Sequence, residues 1–309
     1  MDAVAVILRE PKSLALNRID IAAPGAADVV VDIAFSGIST GTERLLWSGR
    51  MPPFPGMGYP LVPGYESVGR VTQAGPEAGR RVGEQVFVPG ANCFGEVRGL
   101  FGGAASRLVV PGARVLPIGE DLGERGVLIA LAATAYHAVV LELPELIVGH
   151  GVLGRLCARI VVALGGAPVV WELNPARVGG AACYTVCDPA ADARRDYRFV
   201  CDVSGDAAIL DSLIARLAPA GEIVLAGFYS DPLSFAFAPA FMREARIRVA
   251  AQWQSSDLDA VMRLVNSGSL SLDDLITHRA PAEHAPDAYR TAFADPACLK
   301  MILDWRHCA

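Results

Sequence analysis

The stretch that decides the fold is Leu146-Ile147-Val148-Gly149-His150-Gly151-Val152-Leu153-Gly154. Glycine is common in this chain, with 31 residues in all, so a Gly-x-Gly-x-x-Gly spacing is weak evidence by itself. The context makes the spacing specific. An apolar run precedes the glycines, and apolar residues recur behind them at helical spacing, at Leu153, Leu156, Cys157, Ile160, Val161 and Leu164. A strand, a glycine-rich turn and a helix in this order predict a dinucleotide-binding loop.

Each glycine of the loop has a physical task. Gly149 permits the tight turn, Gly151 lets the backbone approach the pyrophosphate, and Gly154 lets the helix pack closely on the strand. The free N–H groups at the start of the helix, at Val152 and Leu153, face the phosphates together with the positive end of the helix dipole. These five positions are therefore the predicted phosphate-binding residues.

An acidic residue ends the next apolar run, Val169-Val170-Trp171-Glu172. A carboxylate roughly 20 residues past the glycines accepts hydrogen bonds from the ribose hydroxyls and repels a 2′-phosphate. Glu172 therefore favours NAD over NADP. Arg177 follows five residues later and is a second candidate contact, and because a guanidinium can pair with a phosphate, NADP stays open.

The sequence around this motif shows two different patterns of predicted secondary structure. From residue 126 onward, helical periodicity alternates with short apolar runs at 145–148, 168–171, 199–203, 223–227 and 248–251, which predicts a parallel, doubly wound sheet. Before residue 126, short β-type runs between Gly and Pro residues predict a small β-barrel, with strands at 3–8, 29–35, 67–72, 85–88 and 107–110. A helix at 285–293 and a strand at 299–304 follow in the tail. The predicted fold class is α/β with two domains.

Composition excludes several classes of function. The chain has 309 residues and a net charge of -6, so its length favours two domains and nucleic acid is not expected as the main partner. Hydrophobic residues make up 52%, yet the longest uncharged run, 126–141, is too short to span a bilayer. Arg9 and Glu10 interrupt the N-terminus, which speaks against a signal peptide, and the seven scattered cysteines are typical of reduced thiols. We therefore expect a cytoplasmic protein.

Four further segments resemble one family. They are Arg81-Val82-Gly83-Glu84-Gln85-Val86, 102–111, 130–136 and Cys298-Leu299-Lys300-Met301-Ile302-Leu303-Asp304-Trp305. With them the chain resembles the medium-chain dehydrogenase/reductase superfamily over nearly its whole length. The resemblance implies a Rossmann NAD-binding domain at 126–267 and a GroES-like catalytic domain at 1–125 and 268–309. It also implies that Thr134 lies beside the nicotinamide ring, and that the protein is a homodimer.

The chain departs from the zinc-dependent members of that superfamily. Those members place a Cys and a His where this chain reads Gly37-Ile38-Ser39 and Gly64-Tyr65-Glu66. The later ligand position, near Ala130, carries no metal ligand, and Cys93 is the single cysteine where a structural zinc loop would lie. A hydroxyl and a phenol are poor zinc ligands beside thiolate and imidazole. We therefore expect a zinc-free member with no metal site.

Without zinc, side chains must orient the substrate alcohol and take its proton. The resemblance brings together Ser39, Thr42, Tyr65 and Glu66, with Glu66 as the best carboxylate base if burial raises its pKa. The alternatives are that Ser39 and Thr42 form an ordinary turn, and that Glu66 is a structural carboxylate. His150 is a further catalytic candidate, although a residue at that position of the loop more often only faces the cleft.

The substrate is indicated by two stretches, 35–49 and 51–69. They resemble a branch of the superfamily that acts in bacteriochlorophyll biosynthesis, which implies NAD-linked oxidation of the 3-(1-hydroxyethyl) group of a chlorophyllide or bacteriochlorophyllide to 3-acetyl. A zinc-free quinone or enone reductase, another alcohol dehydrogenase, and a non-catalytic dinucleotide-binding protein remain alternatives. A reductase of this kind would use NADPH, which fits poorly with Glu172.

An apolar wall for a tetrapyrrole pigment is predicted next to the candidate site. Aromatic and Met side chains gather there among prolines and glycines, at Trp47, Met51, Phe54, Met57 and Tyr59. Arg44 or Arg50 would pair with a peripheral carboxylate of the pigment. The alternative is ordinary loop packing.

Overall fold

The chain forms two compact units. The computed structural model describes residues 1–53, 55–181 and 183–308. Unit 1 comprises Met1–Ala130 with Leu275–Ala309, and unit 2 comprises Leu131–Asp274. The sequence places the boundaries at 125/126 and 267/268, a few residues earlier at each junction. Composition cannot mark the first boundary, because it falls inside a continuous apolar helix, Ile129–Val139.

The elements of the described residues are numbered in chain order. The strands are β1 (Asp2–Glu10), β2 (Ser13–Asp20), β3 (Asp28–Ile38), β4 (Leu61–Val62), β5 (Ser67–Ala74), β6 (Gln85–Val88), β7 (Arg98–Gly99), β8 (Arg107–Pro111), β9 (Leu116–Pro117), β10 (Leu146–Val148), β11 (Val169–Trp171), β12 (Thr185–Cys187), β13 (Tyr197–Asp202), β14 (Leu217–Leu225), β15 (Arg246–Val249), β16 (His278–Pro281) and β17 (Met301–Asp304). The α-helices are α1 (Thr42–Ser48), α2 (Ile129–Val139), α3 (Val152–Ala163), α4 (Leu210–Ile214), α5 (Phe237–Met242), α6 (Ser255–Asn266) and α7 (Ala285–Ala294). Short 3-10 segments lie at Gly112–Arg114, Glu120–Leu128, Pro175–Arg177 and Ala282–His284.

Unit 2 contains one six-stranded sheet in which every pairing is parallel. The spatial order is β12-β11-β10-β13-β14-β15, so the direction of winding reverses between β10 and β13. This is the order of a doubly wound dinucleotide-binding sheet, and ligands of such sheets bind at the reversal, beyond the carboxyl ends of the strands. The α/β prediction is therefore confirmed, and the Gly149 loop follows directly on the strand at the reversal.

The continuous apolar runs of unit 2 are explained by burial on both faces of the sheet. All three residues of β10 are at most 4% exposed. Side chains on both faces of the sheet are therefore buried, and the sequence does not alternate between apolar and polar residues. Among the described residues of the whole chain, no helix is both long and apolar enough to cross a bilayer.

Unit 1 is built from two sheets around one core. One sheet has the order β2-β1-β4-β7, and the other has the order β16-β17-β3-β5-β6-β9 with β8 also paired to β3. The long strand β3 carries the β-branched run Val29-Val30-Val31, whose three side chains are all buried in the hydrophobic core of the unit. Strand β3 bonds to β5, β8 and β17, so it organises this unit.

The C-terminal segment completes the sheet of unit 1. Strand β17 pairs antiparallel with β3, with Met301 opposite Ile38 and Asp304 opposite Phe35. Trp305 follows, only 2% exposed, and its indole N–H donates to Ser36 Oγ at 2.8 Å. The tail thus rejoins the first part of the chain, as the resemblance implies.

Candidate active site

Backbone conformation and packing explain two of the three glycines in the loop of unit 2. Gly149 has φ +101°, a conformation that favours glycine, and a Cβ on Gly154 would lie 1.8 Å from the Gly149 carbonyl oxygen. Gly151, the N-cap of α3, is different: a Cβ there would meet only Arg177 Nη1, at 3.9 Å. The protein itself therefore does not require glycine at 151, and the open space beside it fits the close approach of a phosphate.

Glu172 is held at the carboxyl end of β11 by two backbone donors. The His150 N–H donates to its Oε2 at 2.9 Å and the Asn174 N–H to its Oε1 at 2.7 Å. A carboxylate offers about four acceptor positions, so both oxygens keep lone pairs for the hydroxyls of a ribose. Together with the open space at Gly151, this donor and acceptor set fits a dinucleotide.

Four other predicted cofactor contacts have distinct surroundings. Val152 and Leu153 form the first turn of α3, where backbone N–H groups lack partners within the helix. Thr134 lies half-buried on α2. Arg177 ends a 3-10 turn, with its guanidinium beside the Gly151 position.

His150 is completely buried, and both of its ring nitrogens are engaged. Nδ1 lies 2.6 Å from the Arg177 carbonyl oxygen and Nε2 lies 2.8 Å from the Tyr184 hydroxyl. Burial lowers the pKa of His150 to about 4, against the opposing effect of the Arg177 carbonyl, so the ring is neutral near pH 7. The arrangement leaves neither nitrogen to take a proton from a substrate, which argues against the catalytic role considered for this residue.

The candidate hydroxyls come together in unit 1. Ser39 lies in the turn between β3 and α1, where its Oγ accepts from the Tyr65 hydroxyl at 2.8 Å and from the Thr42 N–H at 3.3 Å. The Tyr65 ring packs edge-on against Phe101, with 5.5 Å between centroids. Burial raises the pKa of Tyr65 well above its usual value, and the nearby charge of Glu66 adds to this shift. The phenol is therefore neutral.

The hydroxyl pair does not fit a zinc ion. Ser39 and Tyr65 stand where the sequence resemblance predicts the Cys and His ligands of zinc-dependent members, and here the two side chains are bonded to each other. Zinc in proteins takes thiolate, imidazole or carboxylate, and a neutral phenol supplies none of these. Over residues 1–53, 55–181 and 183–308, no group of three or more His, Cys, Asp or Glu side chains is placed to hold a metal.

Glu66 lies inside unit 1 as one half of an ion pair. Its Oε2 is 2.6 Å from Lys300 Nζ, and neither side chain is exposed at all. Lys300 also donates to the Ile38 carbonyl at 3.2 Å, and a Cβ on Gly37 would lie 2.1 Å from Glu66 Oε2. Burial raises the pKa of Glu66, and Lys300 opposes the shift. Of the two roles left open by the sequence, this placement favours the structural carboxylate.

A second buried carboxylate supports the Ser39 turn. Glu43 is 1% exposed; its Oε1 accepts from the Ser39 N–H at 2.9 Å and its Oε2 from the Tyr289 hydroxyl at 2.6 Å. Burial raises the pKa of Glu43 to about 7, although these two hydrogen bonds oppose the shift. Tyr289 lies on α7, so the C-terminal segment contributes to the setting of Ser39.

Glu43, Tyr289 and Lys300 belong to this cluster but were not among the residues predicted from the sequence. Lys300 had a visible signal, because it is the one charged residue in the apolar run 298–303. Glu43 follows Ser39 by four residues at the start of a helix, a spacing close to that of a capping box. Tyr289 carried no signal, since its position on α7 matches ordinary apolar spacing.

The predicted substrate wall is partly a packing cluster. Tyr59 donates from its hydroxyl to the Leu46 carbonyl, and the Trp47 ring lies 5.6 Å from Phe293 of α7. Both side chains cover a small apolar core that includes Leu46 and Met51. Arg44 and Arg50 are exposed. Phe54 lies outside the described residues.

A separate cavity of about 430 Å³ lies in unit 1. Arg18, Arg107 and Trp305 are among the residues that line it, and none of the predicted site residues does. Arg107 is already paired there with Asp32, at 2.6 Å. The cavity is therefore distinct from the hydroxyl cluster.

The folds of the two units, with the polar clusters around Ser39 and Glu172, are typical of a medium-chain dehydrogenase. Comparison with known proteins agrees. Residues 25–120 match the alcohol dehydrogenase GroES-like domain. The chain is 58% identical to the 2-desacetyl-2-hydroxyethyl bacteriochlorophyllide A dehydrogenase of Rhodobacter capsulatus and 57% identical to that of Cereibacter sphaeroides, with 99% of each chain covered in both comparisons. The chain belongs to the medium-chain dehydrogenase/reductase superfamily, in the same family as these two enzymes.

Solved structures support the fold. An alcohol dehydrogenase from Escherichia coli CFT073, crystallised with NADH, superposes with a TM-score of 0.82 over 98% of this chain and 99% of its own. Its sequence identity is 21%, so this likeness concerns the architecture alone.

The ion pair of Glu66 and Lys300 gives the first prediction. Replacing Lys300 by Met leaves a carboxylate buried without its counter-charge, which should lower the free energy of unfolding by about 3–5 kcal/mol. The double variant Glu66→Gln/Lys300→Met removes both charges and should recover a large part of this loss. Urea unfolding of the three proteins measures the difference. A double variant no more stable than Lys300→Met would contradict the assignment.

The buried carboxyl of Glu43 predicts a pH dependence of stability. Its pKa is about 7 in the folded protein against an ordinary value of 4.5. Between these two pH values the carboxyl is protonated in the native state and ionised in the unfolded chain. Stability should therefore fall as the pH rises from about 4.5 to 7, by at most about 3 kcal/mol. In Glu43→Gln this part of the slope should disappear, as measured by urea unfolding across that range.

The matched control is Glu283→Gln, which alters an exposed glutamate of the same unit and should keep the wild-type slope. If Glu43→Gln keeps that slope as well, the titrating group is a different one.

Proposed function

We propose that this protein is an NAD-dependent dehydrogenase that oxidises the hydroxyethyl side chain of a bacteriochlorophyllide, or of the corresponding chlorophyllide, to an acetyl group without zinc. The substrate is proposed because the chain is 58% identical, over 99% of both chains, to an enzyme named for this reaction. A mechanism without zinc is proposed because Ser39 and Tyr65, at the two predicted zinc-ligand positions, are hydrogen-bonded to each other.

The reaction moves a hydride and a proton in opposite directions. NAD, when bound, supplies the hydride acceptor, and the carbinol carbon becomes a ketone as its hydroxyl proton passes to solvent. Alcohol and NAD⁺ thus give ketone, NADH and one proton. The task left to this chain is to orient the hydroxyl and to carry its proton away.

Ser39 is the group that contacts the substrate hydroxyl in this proposal. Its Oγ already accepts from Tyr65 and from the Thr42 N–H, so its own hydrogen is the one that can point to the substrate oxygen. This is the arrangement that follows proton transfer: the substrate proton would pass to Ser39 Oγ, the Ser39 proton to Tyr65, and the Tyr65 proton to the Thr42 hydroxyl, which also hydrogen-bonds Tyr65, and from there to solvent. The high pKa of Tyr65 suits a shuttle that passes a proton on and does not store it.

Glu66 and His150 stand outside this relay. Glu66 is neutralised by Lys300 and has no exposed atom through which a proton could leave. His150 uses both nitrogens within unit 2. Thr42 is half-buried at the start of α1 and would pass the proton on to solvent.

The cofactor would be held by the loop 149–154 at its phosphates and by Glu172 at its adenosine ribose. Glu172 would repel a 2′-phosphate, which favours NAD over NADP. The exposed guanidinium of Arg44, on the same helix as Trp47, would meet a carboxylate of the pigment. Trp47 and Tyr59 would offer apolar surface to the macrocycle.

The direct test of this function is incubation of the purified protein with NAD and the hydroxyethyl pigment. We expect NADH and a shift of the red absorption band as the acetyl group joins the conjugated ring. Turnover with NADP should be much slower, and dialysis against a chelator should leave turnover with NAD unchanged. Turnover of quinones or simple alcohols with no pigment product would reject the substrate, and loss of activity that added zinc restores would reject the zinc-free mechanism.

The relay predicts that removal of either hydroxyl slows the chemical step. Ser39→Ala and Tyr65→Phe should each lower kcat by roughly 10²-fold, the lower end of the range for general acid–base groups, with a much smaller change in KM for the pigment. Ser67→Ala is the matched control, because it removes a buried hydroxyl of unit 1 that donates to the Gly103 carbonyl. Wild-type kcat in Tyr65→Phe would remove the phenol from the relay.

A further inference from the structure

We propose that His150 is a positioning residue for the adenosine diphosphate half of the cofactor, acting through the main chain of Arg177. This role rests on the proposed NAD site and gives a task to a buried imidazole that the hydride and proton transfers do not use. Three side chains, those of His150, Tyr184 and Arg155, fix the turn after β11. We call this set the turn clamp.

The carbonyl of Arg177 is the point on which the turn clamp converges. It lies 2.6 Å from His150 Nδ1 and accepts from Arg155 Nη2 at 2.9 Å. A carbonyl oxygen has two lone pairs, so these two donors satisfy it completely. The main chain of residue 177 is therefore fixed from the glycine loop and from helix α3 at once.

The tautomer of His150 follows from these partners. A carbonyl oxygen can only accept, so Nδ1 carries the hydrogen and Nε2 is an acceptor. The Tyr184 hydroxyl, 2.8 Å from Nε2, is then the donor, and its ring meets the imidazole edge-on at 5.6 Å between centroids. Tyr184 thus holds the imidazole in the one tautomer that can donate to Arg177.

Arg155 extends the clamp along the turn. Only 5% of this arginine is exposed, although it belongs to the helix that begins at the glycine loop. It donates to the carbonyls of His150 at 3.2 Å and of Gly179 at 2.7 Å. A Cβ on Gly180 would lie 2.4 Å from its Nη1, so the turn is folded closely around the guanidinium.

The turn clamp fixes two groups that would face the cofactor, the Arg177 guanidinium and the Glu172 carboxylate. Arg177 Nη1 lies 3.9 Å from the place of a Cβ on Gly151, beside the space expected for the pyrophosphate. The N–H of His150 itself donates to Glu172, the ribose acceptor. His150, a buried residue of the phosphate loop, therefore holds the ribose carboxylate through its backbone N–H and the main chain of Arg177 through Nδ1.

Histidine replacements can separate these contacts. An Asn amide nitrogen reaches about where Nδ1 stands and can still donate to Arg177, whereas a Gln amide reaches about where Nε2 stands and can meet only Tyr184. The backbone N–H to Glu172 remains in both variants. We therefore expect ADP-ribose to bind His150→Asn within about threefold of wild type and His150→Gln roughly tenfold more weakly, the effect of one lost hydrogen bond.

Titration calorimetry with ADP-ribose and with reduced nicotinamide mononucleotide measures these affinities. The mononucleotide should bind all variants equally, because it lacks the adenosine half. Tyr184→Phe should weaken ADP-ribose binding about three- to tenfold, since it frees the tautomer of His150. Tyr197→Phe is the control: it removes another tyrosine hydroxyl of unit 2, bonded to Asp192, and should change neither affinity.

Two results would overturn the positioning role of His150. They are equal affinities of His150→Asn and His150→Gln for ADP-ribose, and parallel losses of affinity for both probes, because a merely structural histidine would not separate the two halves of the cofactor. If wild type binds neither probe, the proposed NAD site itself fails. If wild type binds both and the order Asn over Gln is reversed, only the positioning role fails.

Discussion

Unit 1 is organised around a buried ion pair, that of Lys300 with Glu66. The two residues are 234 positions apart, and neither is exposed to water. Burying a carboxylate and an ammonium is costly unless they meet, so the strand that carries Lys300 is held to its place against β3. That placement brings α7 with it, and the Tyr289 hydroxyl of this helix then meets Glu43 behind Ser39. The Ser39 turn is thus supported by side chains from both ends of the chain.

Each unit contains a buried polar cluster that fixes the backbone beside a proposed site. In unit 1, buried carboxylates and a lysine hold the backbone around Ser39. In unit 2, a buried histidine and arginine hold the turn that presents Arg177 and Glu172. In both cases nearly every polar atom of the cluster has a partner, which is the condition for a polar network to fix a geometry and not weaken the fold. Within these two clusters, the side chains that would meet ligands are consequently few: Ser39, Glu172 and Arg177.

Much of the fold was predictable because its signals are local. The glycine motif and the apolar runs gave the parallel sheet, and β6 was predicted with its observed bounds. Strand β14 was predicted six residues too short at its start, because Pro219 and Gly221 are typical of a turn, yet the strand continues through a register irregularity opposite Tyr197 and Phe199. Strand β2 was not predicted, since its side chains are only half-buried and alternate weakly. Helix α1 follows a Ser-Thr-Gly-Thr run that resembles a turn, and its short apolar face gave no periodicity.

The sequence by itself determined the class of the protein and predicted a cofactor loop and the absence of zinc ligands, because each depends on residue types at fixed spacing along one stretch of chain. Tertiary structure decided the burial and the partners of the candidate site residues. Glu66 looked like a base and lies against Lys300; His150 looked like a catalytic group and lies beneath the turn that carries Arg177. The reason is physical: whether a carboxylate or an imidazole can exchange protons depends on its burial and its partners. Those partners come from strands and turns distant in sequence, so no local pattern records them.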